Sequence, residues 1–402
     1  MALIVKKFGG SSVKDAERIK HVAGIITADY KKGNDVVVIV SAQGDTTDDL
    51  IEKAKELTDD PSAREMDMLL SAGEQISCSL LAMAIGDMGY NAVSLLGWQA
   101  GFKTNSNYGS ARIKTLEAER IKAELSRNNI VVIAGFQGIN KYDDITTLGR
   151  GGSDTSAVAV AAALKADLCQ IYTDVDGVYT ADPRKVKNAR KINEIAYTEM
   201  LELATLGAQV LNNRSVEMAS KYGVELEVLS SIEDKPGTIV KEAVNMEKIL
   251  VRGVACDKNV ARFSIIGLQD TPGIAFKVFN VLAKQKINVD IILQSIGRDG
   301  TKDISFTVPK DQEKAALKAI EGLKDILKFK TCETDDNVAK LSIVGAGMET
   351  HHGVAAKMFE ALYDANINIQ MISTSEIRVS VLIALSDTDR AFNAVHDAFF
   401  DK

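Results

Sequence analysis

A stretch of 23 residues occurs twice in the C-terminal part of the chain, and this repeat constrains the fold more than any other feature. Residues 273–295 align with residues 353–375 at a shift of 80 positions, with nine identities. A strand-like segment precedes each copy, at 263–267 and at 341–345, and the shift there is 78, so a two-residue insertion separates the matching strands. An alternating strand and an amphipathic helix follow each copy. The repeat predicts two ferredoxin-like units, each β-α-β-β-α plus a final strand.

The first 240 residues show a different pattern, in which short apolar runs alternate with helix-length segments. The runs are rich in Val and Ile and are typical of buried strands, whereas the longer segments carry apolar residues every three or four positions. This alternation predicts an α/β fold with a mainly parallel sheet sandwiched by helices. The predicted strands lie at 3–5, 36–40, 92–96, 130–133, 168–172 and 226–229.

The pattern changes near Asp234-Lys235-Pro236-Gly237, which indicates a domain boundary. A chain of 402 residues is long enough for about two or three separate cores. The predicted limits are 1–240 for the α/β domain, 241–260 for a connector with the first strand of the C-terminal region, 261–335 for the first repeat unit and 336–402 for the second.

Charge and cysteine usage argue against several classes of protein. The net charge of −7 and the pI near 5.4 disfavour a nucleic-acid or anionic-membrane partner. The four cysteines lie at least 76 residues apart, which predicts neither a metal clamp nor a disulfide framework and favours a reducing, cytoplasmic setting. His351-His352 has no third ligand at suitable spacing, so we predict no protein-built metal site. No apolar run approaches the roughly 18 residues of a membrane span.

A glycine pair follows the predicted first strand, in the sequence Lys7-Phe8-Gly9-Gly10-Ser11-Ser12. Paired glycines let backbone N–H groups approach an anion, the following helix favours negative charge at its N-terminus, and the lysine adds a fixed cation. These features indicate a phosphate site. A tight strand-to-helix turn explains the same residues equally well.

A second glycine-rich turn, at 149–156, opens an alanine-rich helix and makes a stronger case for a ligand. Arg150 offers a planar fork suited to a carboxylate or phosphate, and Gly151 and Gly152 clear the backbone. Asp154 stands at the helix start, where it could serve only as an N-cap. The turns lack the P-loop spacing, and the dinucleotide fingerprint is missing, which disfavours a nicotinamide oxidoreductase.

Three further segments are candidates for ligand contacts. The segment 173–184 follows a predicted strand and is dense in hydroxyls, carboxylates and an arginine, although its Asp-Gly and Asp-Pro pairs are also common turn formers. Ser71-Ala72-Gly73-Glu74 places a carboxylate in an apolar helical stretch, and the loop 41–47 follows a buried strand. A buried Glu with a local partner, or a capped helix start, would explain the last two.

In their order and spacing, the segments 7–12, 71–74, 149–154 and 173–184 resemble the motifs of aspartate kinases of the amino acid kinase family. The paired C-terminal units resemble the ACT regulatory domains of those enzymes, so the resemblance extends across essentially the whole chain. It implies transfer of the γ-phosphoryl group of MgATP to the side-chain carboxylate of L-aspartate. The product would be 4-phospho-L-aspartate, which opens the pathway to lysine, threonine and methionine. Magnesium would be bound mainly through the nucleotide.

The same resemblance implies a role for each candidate residue. Lys7 and Asp154 would be catalytic, because Lys7 would neutralise the transferring phosphoryl group while Asp154 organises the lysine and the magnesium. The implied aspartate contacts are Ser41, Thr47, Glu74, Arg150 and Ser153, with Arg150 on the α-carboxylate and Glu74 on the ammonium. The implied ATP contacts are Lys7, Gly9, Gly10, Ser11, Gly152, Thr173, Asp174, Tyr179, Asp182 and Arg184. One departure is Gln209, where many relatives carry a lysine that reaches the ATP phosphates.

In the ACT domains of that family, amino acids bind between paired units, which implies allosteric feedback inhibition by lysine, threonine or both. An effector acts only through different affinities for the active and inactive arrangements. The second copy has Gln370 where the first has Asp290, so we expect one copy to dominate binding. A dimerisation module without a ligand is the alternative. The implied effector contacts are Asp270, Gly273, Ile274, Ala275, Asn288, Val289, Asp290, Gln294, Asn368 and Ile369.

The assembly and two rival functions stay open. The chain is expected to form a homo-oligomer, or a mixed assembly with a separate ACT-only subunit for which Met246 could be an internal start. One rival is a kinase for another small acid or a nucleotide, and Glu74 with Arg150 favours an amino acid zwitterion over it. The other rival is an amino-acid sensor with an inactive kinase domain, against which Lys7 and Asp154 argue.

Overall fold

The chain folds into two compact units, which the computed structural model describes for residues 2–208, 210–242, 250–296, 300–349 and 351–401. Gln209 and Met246, each the subject of a prediction above, lie outside the described residues. The first unit consists of Met1–Tyr179, Lys191–Thr205 and Gln209–Asn245, and the second of Thr180–Arg190, Leu206–Ala208 and Met246–Lys402.

The first unit contains fourteen strands, seven α-helices and one short 3-10 helix, at Gly10–Val13, among its described residues. Its strands are β1 (Leu3–Phe8), β2 (Asp35–Val40), β3 (Ala92–Leu95), β4 (Phe102–Thr104), β5 (Ile113–Leu116), β6 (Ile130–Ala134), β7 (Gln137–Ile139), β8 (Ile145–Thr147), β9 (Leu168–Thr173), β10 (Val178–Tyr179), β11 (Lys191–Ile192), β12 (Glu194–Ala196), β13 (Leu226–Ser230) and β14 (Thr238–Lys241). Its helices are α1 (Ala16–Lys31), α2 (Thr46–Lys55), α3 (Ala63–Asp87), α4 (Glu119–Leu125), α5 (Gly152–Leu164), α6 (Tyr197–Thr205) and α7 (Asn213–Tyr222).

The main sheet of this unit has eight strands in the order β12-β14-β13-β9-β1-β2-β6-β3. All neighbouring pairs are parallel except β13 with β14. All six predicted strands are present in it, and the mainly parallel sheet is confirmed. The run Val36–Val40 is wholly buried, because helices cover both faces and every side chain of a central strand meets apolar partners.

Helices α1 and α3 cover one face, where Val22, Ile26 and Leu81 pack with Phe8 and Val38. Helix α5 covers the other face, on the side of Ile39. By length and composition alone, the 25 residues of α3 could cross a membrane. The expectation that no apolar run approaches the length of a membrane span was therefore wrong. One side of α3 is buried against the main sheet, as is typical of a helix in the core of a folded domain.

A second, small sheet in the first unit was not predicted. It has the order β5-β4-β7-β8, and each of its strands has only three or four residues. Strands this short carry too few alternating positions for a periodic signal. The sheet matters for the site because the segment after β8 leads directly into α5.

The second unit contains the two repeats. Its strands are β15 (Gly253–Asp257), β16 (Ala261–Gln269), β17 (Ile292–Ile296), β18 (Thr301–Val308), β19 (Thr331–Asp335), β20 (Val338–Val344), β21 (Met371–Thr374) and β22 (Arg378–Ala384). Its helices are α8 (Ile274–Lys284), α9 (Glu313–Glu321), α10 (Lys324–Leu327), α11 (Val354–Asp364) and α12 (Thr388–Phe400). Its two sheets have the orders β17-β18-β16-β19 and β15-β20-β22-β21.

The two repeat units differ in which part of the chain supplies the fourth strand of the sheet. In the first copy it follows in sequence as β19, as predicted. In the second copy it is β15, which precedes both copies and pairs antiparallel with β20. The expectation that each copy ends with its own strand was therefore wrong for the second, because the edge of β20 is already taken by a strand from the connector. The shared glycines start equivalent helices, since Gly273 and Gly353 have φ values of 90° and 89°.

Candidate active site

Three of the predicted segments leave the same end of the main sheet. β1 lies between β2 and β9, and Phe8 is level with Val40 on one side and Tyr172 on the other. The loops that begin at Gly9, Ser41 and Asp174 therefore start beside one another. The carboxyl ends of parallel strands are where open α/β sheets bind ligands. This edge is the candidate active site.

An ion pair between Lys7 and Asp154 lies at this edge. The Lys7 Nζ is 2.8 Å from the Asp154 Oδ1, and each side chain is only 12% exposed, so solvent screens the pair weakly. The N-cap of α5 is Gly151, and Asp154 stands in the first turn, so the alternative that Asp154 serves only as an N-cap does not apply. The helix N-terminus favours a negative charge at that position.

The loop after β1 is built around a close backbone approach. A Cβ on Gly10 would lie 2.6 Å from the carbonyl oxygen of Ala42, so no other residue fits there without a shift. The Gly9 amide donates to the carbonyl of Tyr172 at 3.3 Å, and the Gly152 amide donates to that of Gly149 at 2.9 Å. Two of the three glycine amides predicted to contact phosphate, those of Gly9 and Gly152, are thus used within the fold.

Glu74 reaches the same region from α3. Gly73 allows the approach, because a Cβ there would lie 2.7 Å from the Cβ of Ala42. The Ala42 N–H donates to the Glu74 Oε1 at 3.0 Å, while Oε2 is buried with no hydrogen-bond donor among the described residues. Burial raises the pKa of Glu74 to about 7. A buried carboxylate with one oxygen unused is suited to receive a cationic group of a ligand.

The other predicted acceptor contacts follow β2 directly or lie in the first turn of α2, in the segment before α5 and in the first turn of α5. Ser41 directly follows β2, and its N–H donates to the carbonyl of Phe8 at 3.1 Å. Thr47 is half-buried in the first turn of α2. Ser153 is buried, and it packs so close to Gly135 that a Cβ on that glycine would lie 2.9 Å from it. Arg150 is exposed, and its guanidinium has no ion pair or hydrogen bond among the described residues.

Replacing Glu74 by glutamine is expected to stabilise the free protein more at pH 8 than at pH 5. The folded state keeps a proton up to about pH 7, whereas the unfolded chain loses it near 4.5. Wild-type stability therefore falls as pH rises through this window, and the neutral glutamine removes that loss. Urea unfolding of both proteins, followed through Trp98, the one tryptophan of the sequence, measures the difference. Exposed Glu56→Gln is the control, and an equal effect of E74Q at both pH values would contradict the prediction.

The predicted nucleotide contacts are divided between the two units. In the first unit, Thr173 ends β9, its hydroxyl donates to Asp174 at 3.0 Å, and the Tyr179 hydroxyl donates to Asp176 at 2.9 Å. In the second unit, the Arg184 guanidinium donates to both carboxylate oxygens of Asp182, at 3.0 and 3.1 Å. Asp182 and Arg184 belong to the segment Thr180–Arg190, which joins β10 to β11.

Two residues outside every predicted motif hold the loops around Arg150. Asp67 is fully buried in α3 and accepts hydrogen bonds from the amides of Gly109 and Thr147, each at 3.0 Å, and from the Thr147 hydroxyl at 2.6 Å. Arg214 donates to two backbone carbonyls from the first turn of α7. The capping residue Asn212 was the one local signal in the sequence that pointed to the start of this helix.

The predicted effector contacts of the first repeat lie towards opposite ends of α8. Asp270 and Gly273 precede the helix, and Asn288 and Asp290 follow it. Its 11 residues span about 16 Å, too far for one amino acid to touch both sets within a single unit. Asp290 is ion-paired with the buried Lys340 of the second repeat. The effector contacts stay a prediction that requires paired units.

Comparison with known proteins gives the family. The model of the amino acid kinase family matches residues 2–230, and that of the ACT domain matches residues 263–322 and 341–399. The chain is 51% identical to an aspartokinase of Bacillus sp. (strain MGA3) over 400 residues, which covers 99% of this chain and 97% of the relative.

Two crystal structures of E. coli aspartokinase III are also similar. The complex with aspartate and ADP, in the R-state, has a TM-score of 0.85 at 25% identity. The complex with lysine and aspartate, in the T-state, has a TM-score of 0.77 at 26% identity. Each comparison covers 99% of this chain and 100% of the other.

The fold, the position of Lys7 near the end of β1 and these matches define an ATP-using kinase with ACT domains. The chain belongs to the amino acid kinase family and, within it, to the aspartokinases.

Proposed function

We propose that the enzyme transfers the γ-phosphoryl group of MgATP to the β-carboxylate of L-aspartate and releases 4-phospho-L-aspartate. The observation that carries the proposal is the weakly solvated pair of Lys7 and Asp154 at the end of β1. Phosphoryl transfer between two anions depends on positioning and charge neutralisation, and a fixed ammonium group beside the transferring phosphoryl group supplies the second. The reaction would be the first step towards lysine, threonine and methionine.

Glu74 and Arg150 would select the acceptor. The free oxygen of Glu74 would accept from the ammonium of aspartate, and the Arg150 guanidinium would pair with its α-carboxylate, with Ser41, Thr47 and Ser153 nearby. This set of charges fits an amino acid zwitterion and leaves the β-carboxylate as the group that can reach the phosphoryl donor. The E. coli relative was solved with aspartate and ADP, which supports the same pair of ligands here.

Magnesium would be held mainly by the nucleotide. Among the residues that the structure describes, no group of three or more His, Cys, Asp or Glu side chains could hold a metal ion. Mg²⁺ commonly takes one or two carboxylates and completes its shell with phosphate oxygens and water. The donors near Lys7 fit that mode, with Asp154 as the carboxylate. Tyr179, Asp182 and Arg184 stay proposed nucleotide contacts.

The ACT units would make the enzyme sensitive to its end products. The proposal is that lysine, threonine or both bind between paired ACT units of an oligomer and favour an inactive arrangement. The T-state complex of the E. coli relative contains lysine, which supports an amino acid effector. The ion pair of Asp290 with Lys340 shows that this carboxylate already binds an ammonium group in the present arrangement.

The expected result is ATP-dependent formation of aspartyl hydroxamate when purified enzyme is incubated with aspartate and hydroxylamine, and a lower rate when lysine or threonine is added. Each amino acid is tested alone and both together, with glutamate as an alternative acceptor. Turnover of another acid but not aspartate would overturn the substrate. No turnover at all would favour an amino-acid sensor, and a rate unchanged by both effectors would contradict the regulation.

A further inference from the structure

The start of α7 contacts the segment that carries Arg150, which we call the Gly149 loop (residues 148–151). Asn212 caps the helix by accepting the N–H of Arg214 at 3.0 Å, and its amide nitrogen donates to the carbonyl of Arg150 at 3.2 Å. Gly151 has a φ of +69°, and a Cβ there would lie 2.3–2.5 Å from the Asn212 side chain. Glycine at this position therefore permits both the turn and the contact with α7.

Arg214 joins the Gly149 loop to its neighbour. One guanidinium nitrogen donates to the carbonyl of Leu148 and the other to that of Ala111, each at 2.8 Å. Ala111 ends a second segment, the Gly109 loop (residues 108–111), and its N–H donates to the carbonyl of Thr147 at 2.8 Å. The rigid planar fork of a guanidinium fixes the distance between its two acceptors, so one side chain sets the spacing of the two loops.

The charge of Arg214 is left largely uncompensated. It is half-buried and makes no ion pair with a carboxylate among the described residues. Burial, and then the nearby Arg112, lower the pKa of Arg214, while Glu217 acts in the opposite sense. Carbonyl oxygens orient a cation without cancelling its charge.

We infer that Arg214 is a positioning residue for the acceptor, which acts by holding the Gly149 loop so that Arg150 can bind the α-carboxylate of aspartate. The inference rests on the proposed function. Because the Arg150 guanidinium has no partner of its own among the described residues, its place depends on the backbone that Arg214 and Asn212 hold. Asp154 lies within α5 and is paired with Lys7, so a looser loop changes acceptor binding more than the transfer step.

The test is steady-state hydroxamate kinetics of Arg214→Ala, with aspartate varied at saturating ATP and ATP varied at saturating aspartate. The expected result is a KM for aspartate raised about 10-fold or more, with kcat and the KM for ATP within about 3-fold of wild type. Arg214→Lys keeps the charge and hydrogen-bond donors but lacks the planar fork that fixes the spacing of the two carbonyls, so it is expected to show a smaller rise. Arg120→Ala is the control, because Arg120 is an exposed arginine of the same unit that pairs with Glu124.

The double variant Arg150→Ala with Arg214→Ala separates this role from a general structural one. If Arg214 acts through Arg150, the KM for aspartate of the double variant equals that of Arg150→Ala alone. Full additivity of the two effects, or an unchanged KM in Arg214→Ala, would overturn the inference. If Arg214→Ala does not fold, Arg214→Lys takes its place in the same cycle. Absence of aspartyl hydroxamate with wild type would instead overturn the proposed function, and the inference with it.

Discussion

Replacing Lys7 by alanine is expected to lower kcat for aspartyl phosphate formation by about 100- to 1000-fold or more, because a cation placed at a developing negative charge contributes on that scale. The change also leaves Asp154 without the ammonium group 2.8 Å away, so the negative charge at the site increases. The measurement is the hydroxamate rate at saturating aspartate and ATP.

Two further variants make the Lys7 result specific. Lys122→Ala removes an exposed lysine from α4 of the same unit and is expected to leave kcat unchanged. Lys7→Arg keeps the charge, but its planar group does not reproduce a compact ammonium, so little recovery is expected. A kcat for Lys7→Ala within about 3-fold of wild type would mean that Lys7 is not the catalytic cation.

Replacing Asp67 by alanine is expected to lower the free energy of unfolding of the first unit by about 3–5 kcal/mol. The substitution leaves three donors without their acceptor, namely the amides of Gly109 and Thr147 and the Thr147 hydroxyl, and each buried unpaired donor costs about 1–3 kcal/mol. Urea unfolding followed by Trp98 fluorescence reports on this unit, because the single tryptophan lies in it.

Asp67→Asn and Asp59→Ala complete that experiment. Asparagine keeps one acceptor oxygen, so a smaller loss of about 1–3 kcal/mol is expected. Asp59 is exposed, and its replacement is expected to change stability by less than about 0.5 kcal/mol. Equal unfolding midpoints for Asp67→Ala and Asp59→Ala would show that the buried carboxylate does not hold the two loops together.

The strands of the main sheet could be predicted because their signal is local. A strand buried on both faces needs apolar residues in unbroken succession, and the short length and β-branched residues of runs such as Val36–Val40 favour a strand over a buried helix. The repeat was equally informative, since two similar sequences fold alike. The small sheet had no such signal, and neither did the use of β15 as the fourth strand of the second repeat. An edge can be filled by any strand that reaches it, which sequence order does not determine.

The residues of the candidate site also fall into those that the sequence could predict and those that it could not. The motifs after β1, β2 and β9 could be placed together beforehand, because parallel strands that follow one another through helices end at the same edge of a sheet. Asp67 and Arg214 could not be assigned to the site beforehand, because their hydrogen-bond partners lie 42 to 103 residues away along the chain and neither residue stands in a motif.

The sequence by itself therefore determined the α/β and repeat architecture and the charged groups available for phosphoryl transfer. These follow from the periodicity of burial and from the chemistry of single side chains. Only the tertiary structure decided which glycine amides already donate hydrogen bonds within the fold and which oxygen of Glu74 has no donor. It also decided which distant residues hydrogen-bond to the Gly149 loop. Each of those depends on hydrogen bonds between groups far apart in sequence, and such pairings exist only once the backbone is in place.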